Sequence, residues 1–347
     1  MEVFPYPFRP GQKELVSFIR DVADDGMCPV VEAGTGTGKT ISALAAVIPI
    51  ARARGLRVVY LTRTKSQQAQ VVRECGAMGG VTCVCLQGRS ASTCPLMRGD
   101  RDLASGTPEE IAKLCSERRR RTAEGAGCRF YANMEGASDE HWLEVLARNP
   151  DPRAFAAACE AEGVCPYEMT KHLLPHAEVV AAAYPFVFIP QVLSMFEDWT
   201  GTSLDRMVVV VDEAHNLPDY LRELQTYEFS RRAMDLAERE ALKEGDPEVG
   251  EGFRTTDISS VLKEILSAAE KEYLIDEDGI VPDGFVEEEL MSRLGTTSVV
   301  LSRMSKTLMD IGDSIEERKK QELKLPRSYI GMMGRFLGLW MADDDVW

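Results

Sequence analysis

Two short segments of the sequence combine residue types that bind phosphate and a divalent metal. Residues 33–40, AGTGTGKT, place three glycines before a lysine and a threonine, and residues 212–215, DEAH, follow a run of four valines. Glycines let backbone N–H groups approach phosphate oxygens, a lysine ammonium neutralises their charge, and hydroxyl and carboxylate oxygens bind Mg²⁺. Together the two segments predict a site for a nucleoside triphosphate with magnesium.

The glycine-rich segment predicts one role for each of its groups. Backbone amides would face the phosphates, Lys39 would reach the β- and γ-phosphates, and the Thr40 hydroxyl would bind Mg²⁺. Ala33 stands where the usual pattern has its first glycine, and the remaining glycines still allow close backbone approach. The alternative is a glycine-rich turn before a helix. The residues predicted to bind the nucleotide here are Gly34, Thr35, Gly36, Thr37, Gly38, Lys39 and Thr40.

The acidic segment predicts the catalytic part of the site. We expect Asp212 to hold Mg²⁺, directly or through water, and Glu213 to orient and deprotonate the attacking water, with Lys39 as the third catalytic group. Taken alone, DEAH is also compatible with an acidic turn after a strand. Its combination with the glycine-rich segment favours the catalytic interpretation.

Buried strands and the helices after them must position these residues. Val30 and Val31 are predicted to form a short buried strand, and the run of four valines in RMVVVVDEAHN, residues 206–216, a fully buried parallel strand. Residues 57–72 have the pattern of a strand, a polar turn and a helix. These patterns predict an α/β fold in which the carboxyl ends of parallel strands deliver the acidic groups to a crevice.

The composition limits the class of protein. The chain has 347 residues, 44% of them hydrophobic, and it contains no long uninterrupted apolar run and no signal-peptide pattern, so we expect an intracellular protein without membrane spans. The net charge of −16 is uneven: residues from 219 onward carry −12, and residues 1–218 carry −4. A nearly balanced N-terminal part can still present a basic groove to nucleic acid.

Nine cysteines in an intracellular protein favour metal ligation or burial over disulfides. The two segments are 171 residues apart, and eight cysteines lie between them. In this order of motifs the chain resembles superfamily 2 helicases with a DEAH box. The contexts GRSASTCPL, AKLCSERRRR, GCRFYAN and GVCPYEMTKH are similar to the iron–sulfur domain of the XPD family. The resemblance implies a [4Fe–4S] cluster with the ligands Cys94, Cys115, Cys128 and Cys165.

The intervals between the four cysteines, and the residues next to them, limit the kind of metal site that they could form. The intervals of 20, 12 and 36 residues do not fit paired C-x-x-C zinc ribbons, although zinc in a four-cysteine site remains the alternative. Two of the ligands precede proline, as also happens in ferredoxins. The cysteines assigned to burial are Cys28, Cys75, Cys83, Cys85 and Cys159. Those at 83, 85 and 159 are the alternative candidates for metal ligands.

Several residues are candidates for nucleic-acid contacts. Thr62, Arg63 and Thr64 end a predicted strand, where they would grip a phosphate backbone or simply begin a capped helix. The run 118–121 and Arg129 would form a positive patch for a single strand beside the cluster, Arg119 among them. Tyr184 alternates with two phenylalanines, as in a base-stacking surface or a buried strand face. By resemblance only, Arg9 and Gln12 would contact the nucleotide, the glutamine at the adenine edge.

The acidic C-terminal third predicts amphipathic helices. Ile258, Leu262 and Ile265 share one face, and Leu301, Met304 and Leu308 share another. By position this module resembles the helical arch of XPD helicases. The expected organisation is a RecA-like motor domain (residues 1–88 and 176–218, without its last strands), an iron–sulfur domain (89–175) and an arch (219–347). A second motor domain is expected in a complete protein and not in this chain.

The resemblance implies an ATP-dependent 5′–3′ DNA helicase that acts on single-stranded and fork DNA with ATP, Mg²⁺ and the cluster. Such motors hold ATP between two domains, and an arginine finger raises the rate by about 10³ to 10⁵. This chain alone is therefore expected to hydrolyse ATP weakly. The alternative is a non-catalytic module that binds ATP, single-stranded DNA or a protein partner.

Overall fold

The computed structural model describes residues 4–90, 93–276 and 278–341. The chain divides into two compact units. The first unit comprises residues 1–108 and 118–224, and the second comprises 109–117 and 225–347. Most of the predicted iron–sulfur domain therefore groups with the predicted motor domain.

A four-stranded parallel sheet lies at the centre of the first unit. Its order is β2-β3-β1-β4, and Val58 of β1 is in register with Val179 on one side and Val208 on the other. Because all the strands run in parallel, their carboxyl ends share one edge of the sheet. The strands are β1 (Arg57–Thr62), β2 (Cys83–Cys85), β3 (Val179–Ala183) and β4 (Met207–Val211).

Helices pack on both faces of the sheet. Side chains alternate along β1, so that Val58 and Tyr60 join the core formed with α1–α3, and Val59 and Leu61 join the core that includes Trp142. In chain order, the helices up to residue 225 are α1 (Gln12–Asp24), α2 (Lys39–Arg54), α3 (Lys65–Met78), α4 (Arg101–Ala104), α5 (Pro108–Arg120), most of which groups with the second unit, α6 (Arg129–Ala132), α7 (Asp139–Ala147), α8 (Pro152–Ala161), α9 (Pro166–Leu173), α10 (Pro185–Phe188), α11 (Pro190–Thr200) and α12 (Leu217–Gln225).

The structure corrects three strand predictions. Val30 and Val31 are exposed and form no strand, since two adjacent valines are too short a run to hold without a neighbouring ladder. The alternating aromatics after Tyr184 lie in α10, where Pro185 occupies the first turn. The valines of β4 are only half-buried, because β4 is an edge strand of the sheet.

The second unit is helical, with two short hairpins. Its helices α14 and α16 confirm the predicted amphipathic faces, because Ile258, Leu262, Leu301 and Leu308 are all buried in one core. The elements are α13 (Arg231–Lys243), β5 (Glu248–Gly250), β6 (Phe253–Arg254), α14 (Thr255–Tyr273), β7 (Leu274–Ile275), β8 (Asp278–Gly279), α15 (Phe285–Leu294), α16 (Ser298–Gln321) and α17 (Tyr329–Trp340).

Candidate nucleotide site and cysteine-rich segment

The glycine-rich loop has the backbone of an anion-binding turn. Gly36 and Gly38 have φ angles of 77° and 78°, a conformation that favours glycine. The hydroxyl of Thr37 donates to the carbonyl of Gly34 at 2.9 Å and closes the loop. Helix α2 begins at Lys39, so its first backbone N–H groups, which have no partners within the helix, lie at the end of the loop.

Gln12 and Arg9 support this loop from α1 and the segment before it. Gln12 is buried, and its Nε2 donates to the carbonyl of Thr37 at 2.8 Å while its Oε1 accepts from the backbone N–H of Arg9 at 2.8 Å. The Arg9 guanidinium donates to the carbonyl of Gly36. A Cβ on Gly38 would lie 2.2 Å from Gln12 Nε2, so a larger residue there would displace the Gln12 amide from the loop.

Lys39 joins the loop to the acidic segment. Its Nζ lies 2.7 Å from Glu213 Oε1 and donates to the carbonyl of Ala33 at 3.2 Å. The side chains of Lys39 and Glu213 are 32% and 30% exposed, so both remain within reach of a ligand. The fold thus brings together two residues that are 174 positions apart in the sequence.

Asp212 and Glu213 follow β4 directly. The backbone N–H of Asp212 continues the ladder to the carbonyl of Leu61 at 2.9 Å. Burial, helped by the charge of Glu213, raises the pKa of the Asp212 carboxyl, and Lys39 offsets part of that rise. The hydrogen bond from Lys39 lowers the pKa of Glu213. The two neighbouring carboxyl groups therefore have pKa values shifted in opposite directions, as expected of groups with different roles.

Tyr60 is a site residue that the sequence patterns did not single out. It is buried on β1, and it lies close enough to the Thr40 side chain and to Asp212 for both to influence its pKa. Burial is the main cause that raises the pKa of Tyr60, so its hydroxyl stays protonated. In the sequence, the one indication of this role is that Tyr60 brings a polar hydroxyl into the largely apolar run RVVYLT.

Tyr184 also lies at this site rather than on a nucleic-acid surface. Its ring is fully buried, so it presents no face to a base, and the prediction of an exposed stacking residue does not fit the structure. Its hydroxyl donates to the carbonyl of Asp212 at 2.5 Å, with the carbonyl of Glu213 at 3.4 Å.

The three residues of the segment 62–64 differ in burial and in the contacts that they make. Thr62 is buried, and Thr64 caps α3 in a reciprocal pair of hydrogen bonds with Gln67. Arg63 is exposed and donates to Asn216 Oδ1 at 3.2 Å, which places its guanidinium beside the acidic segment. Of the three residues predicted to contact a phosphate backbone, Arg63 and Thr64 are exposed, and capping of α3 accounts for Thr64.

Two of the four cysteines predicted as cluster ligands are shown close together. Cys94 and Cys128 are neighbours: burial first, and then the nearby Cys128 thiol, raise the pKa of Cys94. Cys165 lies near Cys159, whose pKa burial raises to about 12. Cys115 lies on α5, in the stretch that groups with the second unit. Among residues 4–90, 93–276 and 278–341, no three His, Cys, Asp or Glu side chains form a group that could hold a metal ion.

Cys128 is held by a tight turn. Its backbone N–H donates to Thr122 Oγ1 at 3.0 Å, and that hydroxyl donates to the carbonyl of Arg118 at 3.0 Å. A Cβ on Gly127 would lie 2.2 Å from the Thr122 nitrogen and 2.4 Å from the Arg118 oxygen. The glycine before Cys128 is therefore required by close backbone packing.

The predicted basic patch is partly neutralised. Arg119 forms an ion pair with Glu168 at 2.8 Å, and the Arg129 guanidinium lies 4.9 Å from the centre of the Phe130 ring. The Nε atoms of Arg118 and Arg119 are buried and have no hydrogen-bond acceptor among the described residues. The charge of Arg118 lies close enough to the Cys94 thiol to lower its pKa, and a cation there would suit an anionic metal–thiolate group.

Four of the five remaining cysteines match the prediction of burial in whole or part. Cys75, Cys83 and Cys159 are buried, and Cys85 is half-buried. Cys28 is exposed, contrary to the prediction, because the strand expected after it does not form.

Parallel strands, a glycine-rich loop at a helix start and an acidic strand end together define a nucleotide-binding α/β domain of the phosphate-loop class. Residues 60–234, half of the chain, match the DEAD_2 family model. The chain belongs to the DEAD_2 family, which confirms the resemblance to XPD-like helicases.

Individual relatives agree with this assignment. The chain is 22% identical over 262 residues to the general transcription and DNA repair factor IIH helicase subunit XPD of Dictyostelium discoideum, covering 69% of this chain and 32% of the relative. Its counterpart in Arabidopsis thaliana is 26% identical, with 68% and 33% covered. The Fanconi anemia group J protein homolog of Gallus gallus is 27% identical, with 53% and 14% covered.

A solved XPD helicase structure shares the fold. It superposes with a TM-score of 0.53 at 18% identity, over 96% of this chain and 51% of that structure. This likeness supports an α/β RecA-like fold. The chain spans about a third of the length of the two XPD subunits it matches. In the described part of the chain, no helix is both long and apolar enough to cross a membrane.

Proposed function

We propose that this chain supplies the nucleotide-binding motor unit of an XPD-type, ATP-dependent DNA helicase. The observation that carries the proposal is the contact between Lys39 and Glu213, which unites the phosphate loop with the acidic segment. The family membership supports the use of ATP and Mg²⁺.

In the proposed reaction, Lys39 changes partners. Its ammonium pairs with Glu213 at 2.7 Å, and the β- and γ-phosphates of ATP would compete for the same positive charge. A Glu213 carboxylate released from Lys39 would regain basicity, since the lysine hydrogen bond is the main cause of its low pKa. Phosphate binding would therefore prepare Glu213 to accept a proton from the attacking water.

Thr40 and Asp212 are the proposed protein ligands of Mg²⁺. Magnesium usually takes one or two protein oxygens, with water and phosphate oxygens completing its octahedron. Tyr60 lies close to both Thr40 and Asp212, so one buried tyrosine adjoins both candidate ligands. A bound Mg²⁺ would compensate the cost of a partly buried carboxylate at position 212.

A [4Fe–4S] cluster on Cys94, Cys115, Cys128 and Cys165 is also part of the proposal. Its support is the resemblance, the proximity of Cys94 to Cys128 and, near Cys94, the charge of Arg118, whose Nε is a buried donor without an acceptor among the described residues. The cluster would serve as a structural anchor for the segment 89–175. Zinc in the same place is the alternative.

The proposed substrate is single-stranded and fork DNA, unwound with 5′–3′ polarity as the resemblance implies. Arg63, Arg119 and Arg129 are the candidate contacts, of which the exposed Arg63 and Arg129 are the most accessible. Hydrolysis at full rate would need a second motor domain to supply an arginine finger, which contributes about 10³ to 10⁵ in rate. Adding that domain in cis should restore DNA-stimulated hydrolysis.

The nucleotide assignment can be tested with the chain as it is. Lys39→Ala should weaken binding of a fluorescent ATP analogue with Mg²⁺ by roughly 100-fold, because a charge-assisted contact to phosphate is lost. Arg54→Ala is the matched control, since Arg54 is an exposed cation on the same helix that pairs with Asp24. Equal affinity of wild type and Lys39→Ala would refute the assignment.

A further inference from the structure

Tyr184 connects two elements of the first unit. It follows β3 directly, and β3 is the strand by which the chain returns to the sheet after the segment that carries Cys165. Its buried ring packs edge-to-face on Tyr220 of α12 at 5.4 Å. The ring thus bridges the end of β3 and the helix that follows the acidic segment.

The hydroxyl of Tyr184 is directed at the backbone of the acidic pair. It donates to the carbonyl of Asp212 at 2.5 Å, and the carbonyl of Glu213 lies at 3.4 Å. Burial, followed by the charges of Asp212 and Glu213, raises the pKa of Tyr184. The group therefore remains a hydrogen-bond donor throughout the neutral pH range.

Glu213 needs such support because its backbone is unusual. Its φ and ψ are 49° and 47°, in the left-handed region that a glutamate seldom occupies. Backbone of this kind persists where surrounding contacts fix it, and it is frequent at functional sites. Besides Tyr184, Asn216 Nδ2 donates to the Glu213 carbonyl at 3.3 Å. The two donors therefore fix the backbone carbonyls of Asp212, the candidate Mg²⁺ ligand, and Glu213, the candidate base.

A purely apolar role for Tyr184 would explain its ring and leave its hydroxyl unexplained. Phenylalanine would fill the same volume and keep the contact with Tyr220. The carbonyl of Asp212 would then lose its donor in a buried place, which costs stability and lets the turn relax. The hydroxyl, and not the ring, therefore distinguishes the two roles.

We propose that Tyr184 is a positioning residue, whose hydroxyl fixes the Asp212–Glu213 peptide and thereby the orientation of the Mg²⁺ ligand and the base. This inference rests on the proposed function. It adds a residue that acts through the backbone of the acidic pair and does not touch the nucleotide.

The test is Tyr184→Phe, with Tyr220→Phe as the matched control. Binding of a fluorescent ATP analogue is measured against Mg²⁺ concentration, and separately in EDTA, and each variant is melted. We expect Tyr184→Phe to raise the Mg²⁺ concentration for half-maximal binding by roughly fivefold, the effect of one lost hydrogen bond. Affinity in EDTA should stay at the wild-type value, because the phosphate loop is unchanged. Tyr220→Phe should match wild type in both measurements.

The outcomes distinguish a failure of the positioning role of Tyr184 from a failure of the proposed function. Equal Mg²⁺ dependence in Tyr184→Phe and wild type overturns the positioning role and leaves the proposed function standing. A wild-type chain that binds no nucleotide overturns the proposed function and the inference with it. A loss of affinity in EDTA as large as the loss in Mg²⁺ would mean that the tyrosine only stabilises the fold, and it also overturns the inference.

Discussion

The nucleotide site and the cysteine-rich segment lie in the same sequence, and different contacts hold their key residues. In the nucleotide site, hydrogen bonds donated by side chains fix the functional groups: Gln12 holds the loop, Lys39 holds the Glu213 carboxylate, and Tyr184 holds the Asp212 carbonyl. In the cysteine-rich segment, Cys94 lies beside Cys128 while Cys165 lies beside Cys159. Burial surrounds the thiols of Cys94 and Cys159, and a backbone turn holds Cys128.

The chemistry of the two proposed ligands would account for this difference. A phosphate site consists largely of backbone N–H groups, which a loop can arrange by itself. Four thiolates repel one another and would be buried at high cost without a cation, so the metal supplies much of the free energy that gathers them. A protein can therefore preorganise the first kind of site and must assemble the second together with its metal.

The largest expected effect is the loss of iron in Cys128→Ser. Removing one thiolate of four should abolish the proposed cluster, because each iron of the cube needs its own ligand. Iron and sulfide per chain, measured after anaerobic purification, give the answer. Cys28→Ser is the control, since Cys28 is an exposed cysteine outside the proposed set. Unchanged iron in Cys128→Ser, or one zinc and no iron in wild type, would contradict the cluster.

Gly127→Ala tests whether the turn, rather than the thiol alone, prepares this ligand. The new Cβ would meet Thr122 and Arg118 backbone atoms at 2.2 and 2.4 Å, so the turn must shift. We expect Tm to fall by roughly 5 °C and iron per chain to fall below that of wild type. Gly136→Ala is the control, because a Cβ there meets nothing within 4 Å. Identical behaviour of the two variants would show that the turn is unimportant.

Gln12→Ala tests preorganisation at the nucleotide site. Loss of the bond to Thr37 should loosen the loop and weaken the binding of ATP and GTP alike, by about fivefold, the effect of one hydrogen bond. The measurement is competitive binding of both nucleotides with Mg²⁺. A loss confined to ATP would instead support the sequence prediction that Gln12 reads the adenine edge.

The sequence predicted the local parts of this molecule well. The strand and helix at residues 57–72 are β1 and α3, and the apolar faces around Ile258 and Leu301 are buried in α14 and α16. Each of these predictions depended on periodicity within one element. The α/β class followed in the same way, from apolar runs that alternate with helices.

Long-range packing limited the remaining predictions. Val30 and Val31 have the β-branched side chains that favour strands, but they do not pair with a neighbouring strand. Strand β4 was expected to be fully buried, although it lies at the edge of the sheet. Tyr60 and Tyr184 join the site because strands distant in sequence place them there. A pattern within one segment does not contain that information.

The smallest expected effect is a gain in stability from Asp212→Asn. Folding raises the pKa of Asp212 above its unfolded value, chiefly through burial, so the charged carboxylate destabilises the folded state at neutral pH. Asparagine removes that cost, and Tm should rise by about 2 °C at pH 7. The gain should disappear as the pH falls below about 4, where the carboxyl is protonated in both states. Asp205→Asn, at an exposed position of the same unit, should leave Tm unchanged at both pH values. A lower Tm for Asp212→Asn at pH 7 would mean that the carboxylate stabilises the acidic turn. The charge would then belong to the preorganised framework of the site, and the cost that a bound Mg²⁺ is proposed to relieve would not exist.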